Sequence, residues 1–358
     1  MTTDDKQYAQ SSTWNELGSQ AEVWQSVVSQ SRDSQITKEI LSRSAGAKEW
    51  LFVGCGTSFY LAEAAALSWT TLTGEPARPV PASEILLFPE LLKAGSAAKQ
   101  AIVISRSGRT SEAVRAAAVL RKGLRIPTIG ITCAENSELE RECELCIVLQ
   151  AADEKSTVMT RSFTSMLLSL QVLAAIRAGK AQFIDSLLEM AKGFAVQLPA
   201  IAARMRAFVS NHEFADYIFL GQGAFHGIAR EAALKVMEMS CSYSQFFHTL
   251  EFRHGPKAIV SPATCLTFFI SETGKEAEAE VLAEMKELGG VNVAVCNRAN
   301  EQIRRGADLV IELDSKSNEI SLLAPFAVPC QVMGFFTGLQ KGLNPDQPKN
   351  LTRVVILD

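Results

Sequence analysis

The sequence has no excess of positive charge and no run of basic residues. Its 35 lysines and arginines are balanced by 39 aspartates and glutamates, which gives a formal net charge of −4. Proteins that bind nucleic acid or an anionic membrane surface by charge carry a basic patch or stripe. We therefore expect no nucleic-acid partner and no membrane partner, and a small molecule as the ligand.

The sequence also lacks the signals of an exported or membrane protein. Its first residues, MTTDDKQYAQ, are polar and acidic and do not form a charged region followed by an apolar one. No apolar stretch looks long enough to span a bilayer. The eight cysteines are scattered, mostly in apolar segments, as reduced and buried thiols are. We expect a cytoplasmic protein without disulfides.

Motifs for metals and nucleotides are missing as well. Cys143 and Cys146 form a single CxxC, but no second pair or nearby histidine completes a zinc-binding set. The segment GCGTS at 54–58 does not match the GxGxxG pattern of dinucleotide-binding proteins. The later polar turn at 105–111 is not followed by the Gly-Lys-Ser/Thr of a P-loop. We expect no metal and no cofactor.

What the sequence does contain is an alternation of short apolar runs and helix-like stretches. The first of these read EWLFVGCG, LAEAAALSWTTL, AIVISRSG, SEAVRAAAVLRKG and TIGIT. Apolar residues occupy consecutive positions in the runs, which is typical of strands covered by helices on both faces of a sheet. The pattern predicts an α/β protein with doubly wound parallel sheets. A length of 358 residues suits two such domains of about 150 residues each.

The second half of the chain repeats the plan of the first. The run YIFLGQG at 217–223 resembles LFVGCG at 51–56, and the corresponding positions Cys55 and Gln222 are 167 residues apart. We interpret this as a duplication; the alternative is chance similarity between hydrophobic strands. The predicted segments are an N-terminal helical segment at 1–45, a first domain at 46–195, a second domain at 205–341 and a C-terminal tail at 342–358 that closes the active site.

The strongest local signal is a polar turn between an apolar strand and a helix. Residues 105–111 read SRSGRTS, follow the strand AIVI and open the helix SEAVRAAAVLRK. Hydroxyl and backbone N–H groups at such a turn meet the positive end of the helix dipole, which favours an anion such as phosphate. The alternative is a structural turn, in which Thr110 or Ser111 only caps the helix and Gly108 only makes the bend.

A second signal is three charged residues on one predicted helix. Glu231, Lys235 and Glu238 are spaced by four and three residues, so they share one helix face. The helix follows a strand and the turn at 221–223, at the edge of the sheet where open α/β folds bind ligands. A carboxylate there can act as a base; the alternative is a solvated face with a salt bridge.

Another group of ionisable residues lies in the segment EFRHGPK at 251–257. His254 is a candidate for moving a proton to a ring oxygen, because histidine is the commonest general acid and base. A lone histidine can equally be a structural residue.

Taken together, six segments resemble the SIS (sugar isomerase) family of phosphosugar-binding proteins. The resemblance runs from about Lys48 to Asp358. It is closest to the isomerase domain of glucosamine-6-phosphate synthase and to the galactosamine- or tagatose-6-phosphate ketose/aldose isomerase and deaminase group. The segments are GCGTS at 54–58, SRSGRTSE at 105–112, STVMTRSFTS at 156–165, EAALKVMEMS at 231–240, EFRHGPKAIV at 251–260 and NPDQPKNLTRVV at 344–355.

The resemblance implies two tandem flavodoxin-like α/β/α subdomains and a sugar-phosphate substrate. It implies that Glu238 is the base that moves a proton between C1 and C2, with Lys235 and Glu231 beside it. His254 would open the sugar ring; in the synthases this histidine comes from a neighbouring subunit, so a homodimer with a shared site is implied. The implied substrate- and phosphate-binding residues are Thr57, Ser58, Ser105, Arg106, Ser107, Thr110, Thr157 and Arg353.

Some residues depart from the synthase pattern. We expect no glutamine-hydrolysing domain and no terminal cysteine nucleophile. Arg353 stands where the synthases carry a lysine that forms a Schiff base, and an arginine stays protonated and is a poor amine nucleophile. Thr157 and Arg161 also differ, while TRSFTSM, FRHGPK and TRVV are similar to the isomerase and deaminase branch.

We therefore predict an aldose/ketose isomerase that acts on an amino-sugar 6-phosphate, with or without release of ammonia. One alternative is a fructosamine-6-phosphate deglycase that uses the same site. Another is a regulator that binds a sugar phosphate without turnover, because this fold also serves such proteins.

Overall fold

A computed structural model of the chain describes residues 8–93 and 97–357. Residues 1–7, 94–96 and 358 belong to the predicted segments at 1–45, 46–195 and 342–358, and they lie outside the described residues. The chain forms two compact units. The first-sheet unit comprises residues 22–93, 97–154, 161–188 and 352–357, and the second-sheet unit comprises residues 8–21, 155–160 and 189–351.

The first-sheet unit contains a parallel five-stranded sheet with the strand order β2-β1-β3-β4-β5. From β1 the chain moves to one neighbour, β2, and then returns to the other neighbour, β3. The carboxyl ends of β1 and β3 therefore form the switch point where ligands of such folds bind. Its elements are β1 (Glu49–Gly54), α4 (Thr57–Thr73), β2 (Ala77–Pro81), α5 (Ala82–Leu87), β3 (Lys99–Ile104), α6 (Ser111–Ala118), β4 (Thr128–Thr132), α7 (Glu138–Glu142), β5 (Leu145–Val148) and α8 (Arg161–Arg177).

Both faces of this sheet are covered, as the consecutive apolar positions predict. On one face, the rings of Trp50 and Phe52 lie 4.1 and 5.8 Å from the ring of Trp69 in α4. The alternate residues Leu51 and Val53 are buried in a cluster with residues of α5 and α6. A strand enclosed in this way is apolar at its buried positions, which is why β1 reads WLFVG after the partly buried Glu49.

The second-sheet unit repeats the topology. Its strand order is β10-β9-β8-β6-β7, and every pairing is again parallel. Read from the other edge, β7-β6-β8-β9-β10, this is the order of the first sheet, with β6 to β10 in the places of β1 to β5. The predicted duplication is confirmed. The elements are β6 (Asp216–Gly221), α10 (Ala224–Ser240), β7 (Tyr243–His248), β8 (Thr264–Ile270), α11 (Lys275–Glu287), β9 (Val291–Cys296), α12 (Glu301–Gly306), β10 (Leu309–Glu312) and α13 (Leu323–Gln340).

The predicted N-terminal helices are also present, as α1 (Ser12–Gly18), α2 (Gln20–Asp33) and α3 (Gln35–Arg43), and α9 (Ala181–Ser210) follows α8. In α1, the Asp346 carboxylate accepts hydrogen bonds from the backbone N–H groups of Ser12 and Thr13 at 3.0 and 2.8 Å. An acceptor at these positions satisfies donors that have no partner within the first turn of a helix.

Two glycines let α13 approach α10 closely. A Cβ atom at Gly334 would lie 2.9 Å from the carbonyl oxygen of Lys235, and one at Gly338 would lie 2.3 Å from that of Met239. Larger residues would push the helices apart, because interiors are close-packed. This contact fixes the position of the helix that carries the three predicted charged residues.

One expectation from the sequence is wrong. The helical stretch Glu319–Gln340 is long and apolar enough to cross a membrane by length and composition, with a mean hydropathy of 1.6. We expected no such stretch. Its most apolar window is entirely buried inside the protein, so its hydrophobicity is that of a core helix packed against α10.

Candidate active site

The polar turn that follows β3, here called the first turn (residues 105–110), is tightly folded. Gly108 has φ +60°, and a Cβ atom there would lie 2.3 Å from the Ser137 hydroxyl oxygen, so only glycine fits. The Ser105 hydroxyl donates to the Thr110 hydroxyl at 3.4 Å. Thr110 is the N-cap of α6, but its side chain makes no capping hydrogen bond. The hydroxyl groups of the turn are therefore not used to cap the helix.

Arg106 is a buried charged residue of the first turn. Its guanidinium lies 3.4 Å from the carboxylate of Glu154, which is itself fully buried and accepts a hydrogen bond from the Ser162 hydroxyl. A further guanidinium nitrogen donates to the carbonyl oxygen of Arg353 at 3.1 Å. The Arg106 side chain thus points into the protein, whereas Arg109 in the same turn is exposed.

Thr57 and Ser58 begin α4 at the end of β1, and both are buried. A Cβ atom at Gly54 would lie 2.4 Å from the Ser58 carbonyl oxygen, so the turn from strand to helix requires glycine. Strands β1 and β3 are neighbours in register, with Val53 opposite Val103. The structure therefore brings Thr57, Ser58 and the first turn to adjacent strand ends.

The tail segment 352–357 lies along the start of α6. The Ser111 N–H donates to the Val355 carbonyl at 3.2 Å, and the Leu357 N–H donates to the Ser111 hydroxyl at 2.9 Å. The Arg353 guanidinium donates to the Asp153 carboxylate at 2.7 Å. The predicted site residue Arg353 is therefore held beside the first turn by both its main chain and its side chain.

In the second-sheet unit, α10 carries Glu231, Lys235 and Glu238. The Lys235 side chain is fully buried; its ammonium group lies 3.4 Å from the Glu231 carboxylate and donates a hydrogen bond to the Glu238 carboxylate. Burial lowers the pKa of Lys235, but the two carboxylates raise it, and the net shift is upward. The Glu231 side chain is 1% exposed and the Glu238 side chain 17%. The alternative of a solvated face is therefore wrong.

The turn before α10 has the same construction as the turn before α4. Gly223 is the N-cap of α10 with φ 55°, as Gly56 is the N-cap of α4 with φ 52°. A Cβ atom at Gly221 would lie 2.4 Å from the Phe225 carbonyl oxygen. The start of α10 is thereby drawn close to the carboxyl end of β6, at the switch point of the second sheet.

His254 does not join this charged group within one chain. It follows a short 3₁₀ helix at Glu251–Arg253, and its backbone N–H donates to the Glu251 carbonyl at 3.0 Å. Its ring is exposed. Within residues 8–93 and 97–357, the ring forms no hydrogen bond or ion pair with Glu231, Lys235 or Glu238.

Thr157 lies in a loop that a buried carboxylate holds in place. Glu16 of α1 is 4% exposed and accepts hydrogen bonds from the N–H groups of Lys155 and Ser156, at 2.5 and 3.3 Å, and from the Ser156 hydroxyl. Nothing in the sequence around Glu16 marks it as a partner of a loop 139 residues away. The acidic pair Asp153-Glu154 was not predicted either, although only Lys155 separates it from the segment STVMTRSFTS.

The described residues offer no ready metal site. Across 8–93 and 97–357, no three or more His, Cys, Asp or Glu side chains are grouped so that they could hold a metal ion. All eight cysteines are free thiols, and burial raises the pKa of Cys143 to about 12. That thiol is therefore protonated at neutral pH and a poor ligand or nucleophile.

Both halves of the chain match one protein family. Residues 45–176 and residues 216–335 each match the family model of the SIS domain. The resemblance to that family, which the sequence motifs indicate, is confirmed, and so is the presence of two tandem copies.

Individual relatives agree with this match. The chain is 27% identical over 325 residues to a glutamine–fructose-6-phosphate aminotransferase (isomerizing) from Pyrobaculum aerophilum, an alignment that covers 87% of this chain and 52% of the relative. The chain spans about half the length of the curated relatives it matches.

Two solved structures are similar over almost the whole chain. One is a glucosamine-6-phosphate deaminase from Thermotoga maritima, with a TM-score of 0.77 and 29% identity, covering 97% of this chain and 100% of that one. The other is a tagatose-6-phosphate ketose/aldose isomerase from Escherichia coli, with a TM-score of 0.84 and 22% identity, covering 97% and 96%. The second likeness concerns the fold alone.

Proposed function

Because this chain belongs to the phosphosugar isomerase family defined by the SIS domain, we propose that it converts an amino-sugar 6-phosphate into a ketose 6-phosphate with release of ammonia. The similarity to a glucosamine-6-phosphate deaminase over the full length of that protein supports this reaction.

The observation that carries the proposal is the buried ion group on α10. Removing an ammonium group and a carboxylate from water costs several kcal/mol per ion before their attraction offsets it. Lys235 and Glu231 are buried all the same, while Glu238 keeps part of its carboxylate accessible. A protein that only bound a sugar phosphate would need an anion cradle but no such group, so the arrangement favours catalysis.

Glu238 acts as the base. In the open-chain 2-amino sugar, its carboxylate removes the proton from C2 and the C1 oxygen takes up a proton from solvent, which gives an enolamine with a hydroxyl on C1. Glu238 then returns its proton to C1 while the amino group loses a proton to solvent, which leaves an imine at C2. Water hydrolyses the imine to the ketone and ammonia, so one water is consumed for each ammonia released.

Lys235 supports this base and does not replace it. Its raised pKa keeps it as an ammonium ion, so it neither removes the proton nor forms a Schiff base. Its positive charge stabilises negative charge that develops on the substrate oxygen. Arg353 is excluded as an imine-forming residue for the same reason, because its guanidinium stays protonated and pairs with Asp153.

The first turn binds the phosphate group. The hydroxyl groups of Ser105, Ser107 and Thr110 and the backbone N–H groups at the start of α6 supply donors at the positive end of a helix. The buried guanidinium of Arg106 adds a positive charge below the turn. Thr57 and Ser58, at the adjacent strand end, contact sugar hydroxyls, and Thr157 contributes a further hydroxyl.

We propose that the reaction needs no cofactor and takes place in the cytoplasm. Isomerisation and imine hydrolysis move only protons and water, so no redox group is required. The eight free cysteines suit a reducing compartment.

The test is to measure ammonia and ketose 6-phosphate formed from glucosamine 6-phosphate and from galactosamine 6-phosphate. We expect turnover of one or both sugars by the wild type and a fall in kcat of about 10²–10⁴-fold in Glu238→Gln, the range lost with a general base. The control is Glu287→Gln, an exposed residue of α11, which removes the same charge from the same unit and should leave kcat unchanged.

Two results would contradict the proposal. Equal activity of Glu238→Gln and the wild type would remove Glu238 as the base. Binding of both sugars without turnover by the wild type would replace the isomerase with the deglycase or the regulator; fructosamine 6-phosphates, tested in the same assay, separate these two because only the deglycase consumes them.

We further propose a homodimer in which His254 opens the sugar ring in the site of the partner subunit. The exposure of the His254 ring and its lack of contact with the α10 group support a role in trans. Inactive Glu238→Gln and His254→Ala chains, mixed and reassociated at equal concentrations, should then regain activity. Random pairing of a symmetric dimer gives about a quarter of the wild-type sites. No recovery, despite exchange of subunits, would assign His254 to its own chain.

A further inference from the structure

The second-sheet unit contains a counterpart of the first turn. The segment ISETGK at 270–275 follows β8 and opens α11, as ISRSGR at 104–109 follows β3 and opens α6. Strand β8 lies beside β6 in the second sheet, as β3 lies beside β1 in the first. Residues 271–274, here called the second turn, therefore occupy the position in the second sheet that the first turn occupies in the first.

The second turn already holds an anion, and that anion belongs to the chain. The Glu319 carboxylate accepts hydrogen bonds from the backbone N–H groups of Glu272 and Thr273 at 2.9 and 3.1 Å. It also accepts one from the Thr273 hydroxyl at 2.6 Å. Two consecutive backbone N–H groups and a hydroxyl that converge on one anion are the donors of a phosphate-binding nest.

The position of Glu319 is fixed from its own side as well. It is the first residue of a 3₁₀ turn, Glu319–Leu322, that leads into the buried helix α13. The Asn318 side chain caps this turn by accepting from the Ile320 N–H at 2.9 Å. The capped 3₁₀ turn thus positions the Glu319 carboxylate beside the second turn, although Glu319 lies 46 residues along the chain from Thr273.

A second carboxylate, that of Glu278, accepts from both donors of Ser271. The Glu278 carboxylate accepts from the Ser271 N–H at 2.8 Å and from the Ser271 hydroxyl at 3.0 Å. In the first turn, the corresponding hydroxyl, that of Ser105, donates to the hydroxyl of Thr110. The donors of Ser271, Glu272 and Thr273 are therefore directed to two glutamates of the same chain, while the Gly274 N–H donates to the Ser271 hydroxyl at 2.8 Å.

We propose that the second turn is an oxyanion site that Glu319 occupies in place of phosphate, so that the second-sheet unit binds no phosphate group while this carboxylate is present. The proposal assigns different anions to two corresponding turns: a phosphate group to the first turn and the carboxylate of Glu319 to the second. The comparison with the first turn rests on the proposed function, whereas the occupation of the second turn by Glu319 does not.

The test uses inorganic phosphate, labelled with ³²P, in equilibrium dialysis at constant ionic strength, because exposed charges are screened by salt. Wild type, Glu319→Ala and Glu272→Ala are compared. Glu272 is exposed and pairs with Lys275 at 2.8 Å, so its substitution removes the same charge from the same turn without emptying it. We expect Glu319→Ala to bind one more phosphate per chain than the wild type, and Glu272→Ala to bind as the wild type does.

Three results would overturn the proposal: folded Glu319→Ala with the phosphate stoichiometry of the wild type, an equal gain in Glu272→Ala, or a wild type that binds two phosphates.

If Glu319→Ala does not fold, Glu319→Gln keeps an oxygen that accepts from Thr273 but removes the charge. Phosphate should then raise its thermal midpoint by several degrees more than that of the wild type, and an equal rise would reject the proposal. A wild type that binds no phosphate at all would contradict phosphate binding by the first turn, but not the occupation of the second turn by Glu319.

Discussion

The guanidinium of Arg106 donates a hydrogen bond to the main-chain carbonyl of Arg353 at 3.1 Å, across 247 residues of sequence. The two arginines also use adjacent acids: Arg106 lies beside Glu154, and Arg353 binds Asp153. The acidic pair Asp153-Glu154 therefore links the first turn to the tail segment. We expect a substitution in either of these two segments to disturb the contacts of the other.

Arg106→Ala should destabilise the fold, because the buried Glu154 carboxylate would lose the positive charge that lies 3.4 Å from it. Removing one member of a buried ion pair costs roughly 3–5 kcal/mol. We expect the free energy of unfolding, measured by urea titration, to fall by about 3 kcal/mol. Arg109→Ala, at an exposed position of the same turn, should change it by less than about 0.5 kcal/mol. Equal effects of the two substitutions would contradict a structural role for Arg106.

The burial of Lys235 can be tested with a double-mutant cycle. Lys235→Met leaves the Glu231 carboxylate buried without the ammonium group 3.4 Å away and should cost roughly 3–5 kcal/mol. Adding Glu231→Leu removes that carboxylate and should recover much of the loss. The control cycle uses the exposed pair Lys192 and Glu189 of α9, whose coupling should be about 0.5 kcal/mol or less. Similar coupling energies in both cycles would be inconsistent with a buried ion group.

His226 should make the protein sensitive to acid. Burial lowers the pKa of His226 to about 4, and the nearby His248 and Arg230 add to the shift; the His226 and His248 rings are stacked with centroids 3.8 Å apart. The unfolded chain therefore binds a proton between pH 6.5 and 4 that the folded chain does not, so stability is lost as the pH falls through this range.

We expect the wild type to lose roughly 2 kcal/mol in this range from His226, after allowance for its partial exposure. In His226→Phe the slope of unfolding free energy against pH should be shallower. His248→Gln removes one cause of the shift and should have a smaller effect in the same direction. His254→Gln, at an exposed position, should keep the slope of the wild type. An unchanged slope in His226→Phe would rule out this residue as the cause.

Much of the fold can be predicted from the sequence because its determinants are local. Consecutive apolar residues in β1 and β6 reflect burial on both faces, and the glycines at 54 and 221 mark turns where a Cβ atom would collide with the following helix. These signals recur in each half, so the duplication is visible before the strand order is known. Strand order itself depends on pairing between distant segments.

The site is less predictable, because its partners are set by tertiary contacts. The spacing of Glu231, Lys235 and Glu238 reveals a shared helix face, but not whether that face is exposed to water or buried. Glu16 and Glu319 each accept hydrogen bonds from a loop far away in sequence. An isolated glutamate in a helix or turn has no local pattern that distinguishes these roles from a solvated surface residue.

Glu278 should make the second-sheet unit sensitive to alkaline conditions. Burial raises the pKa of Glu278 to about 7; hydrogen bonds from Ser271 oppose this shift, and the charge of Glu319 adds to it. The folded chain then holds a proton between pH 4.5 and 7 that the unfolded chain has released. The contribution to stability is full below pH 4.5 and is lost as the pH rises through 7. Between pH 5 and 8 the wild type should lose roughly 2–3 kcal/mol relative to Glu278→Gln, which has no proton to release.

The matched control for Glu278 is Glu276→Gln, at an exposed position near the N-terminus of α11. Its stability should follow that of the wild type across the whole pH range. Glu319→Ala provides a second check, since removing its charge should lower the pKa of Glu278 and move the loss of stability to lower pH. Chemical denaturation at pH 5, 6, 7 and 8 measures all four proteins. A wild-type profile parallel to that of Glu278→Gln would mean that Glu278 is already ionised at pH 5, and that the hydrogen bonds from Ser271 outweigh the effect of burial.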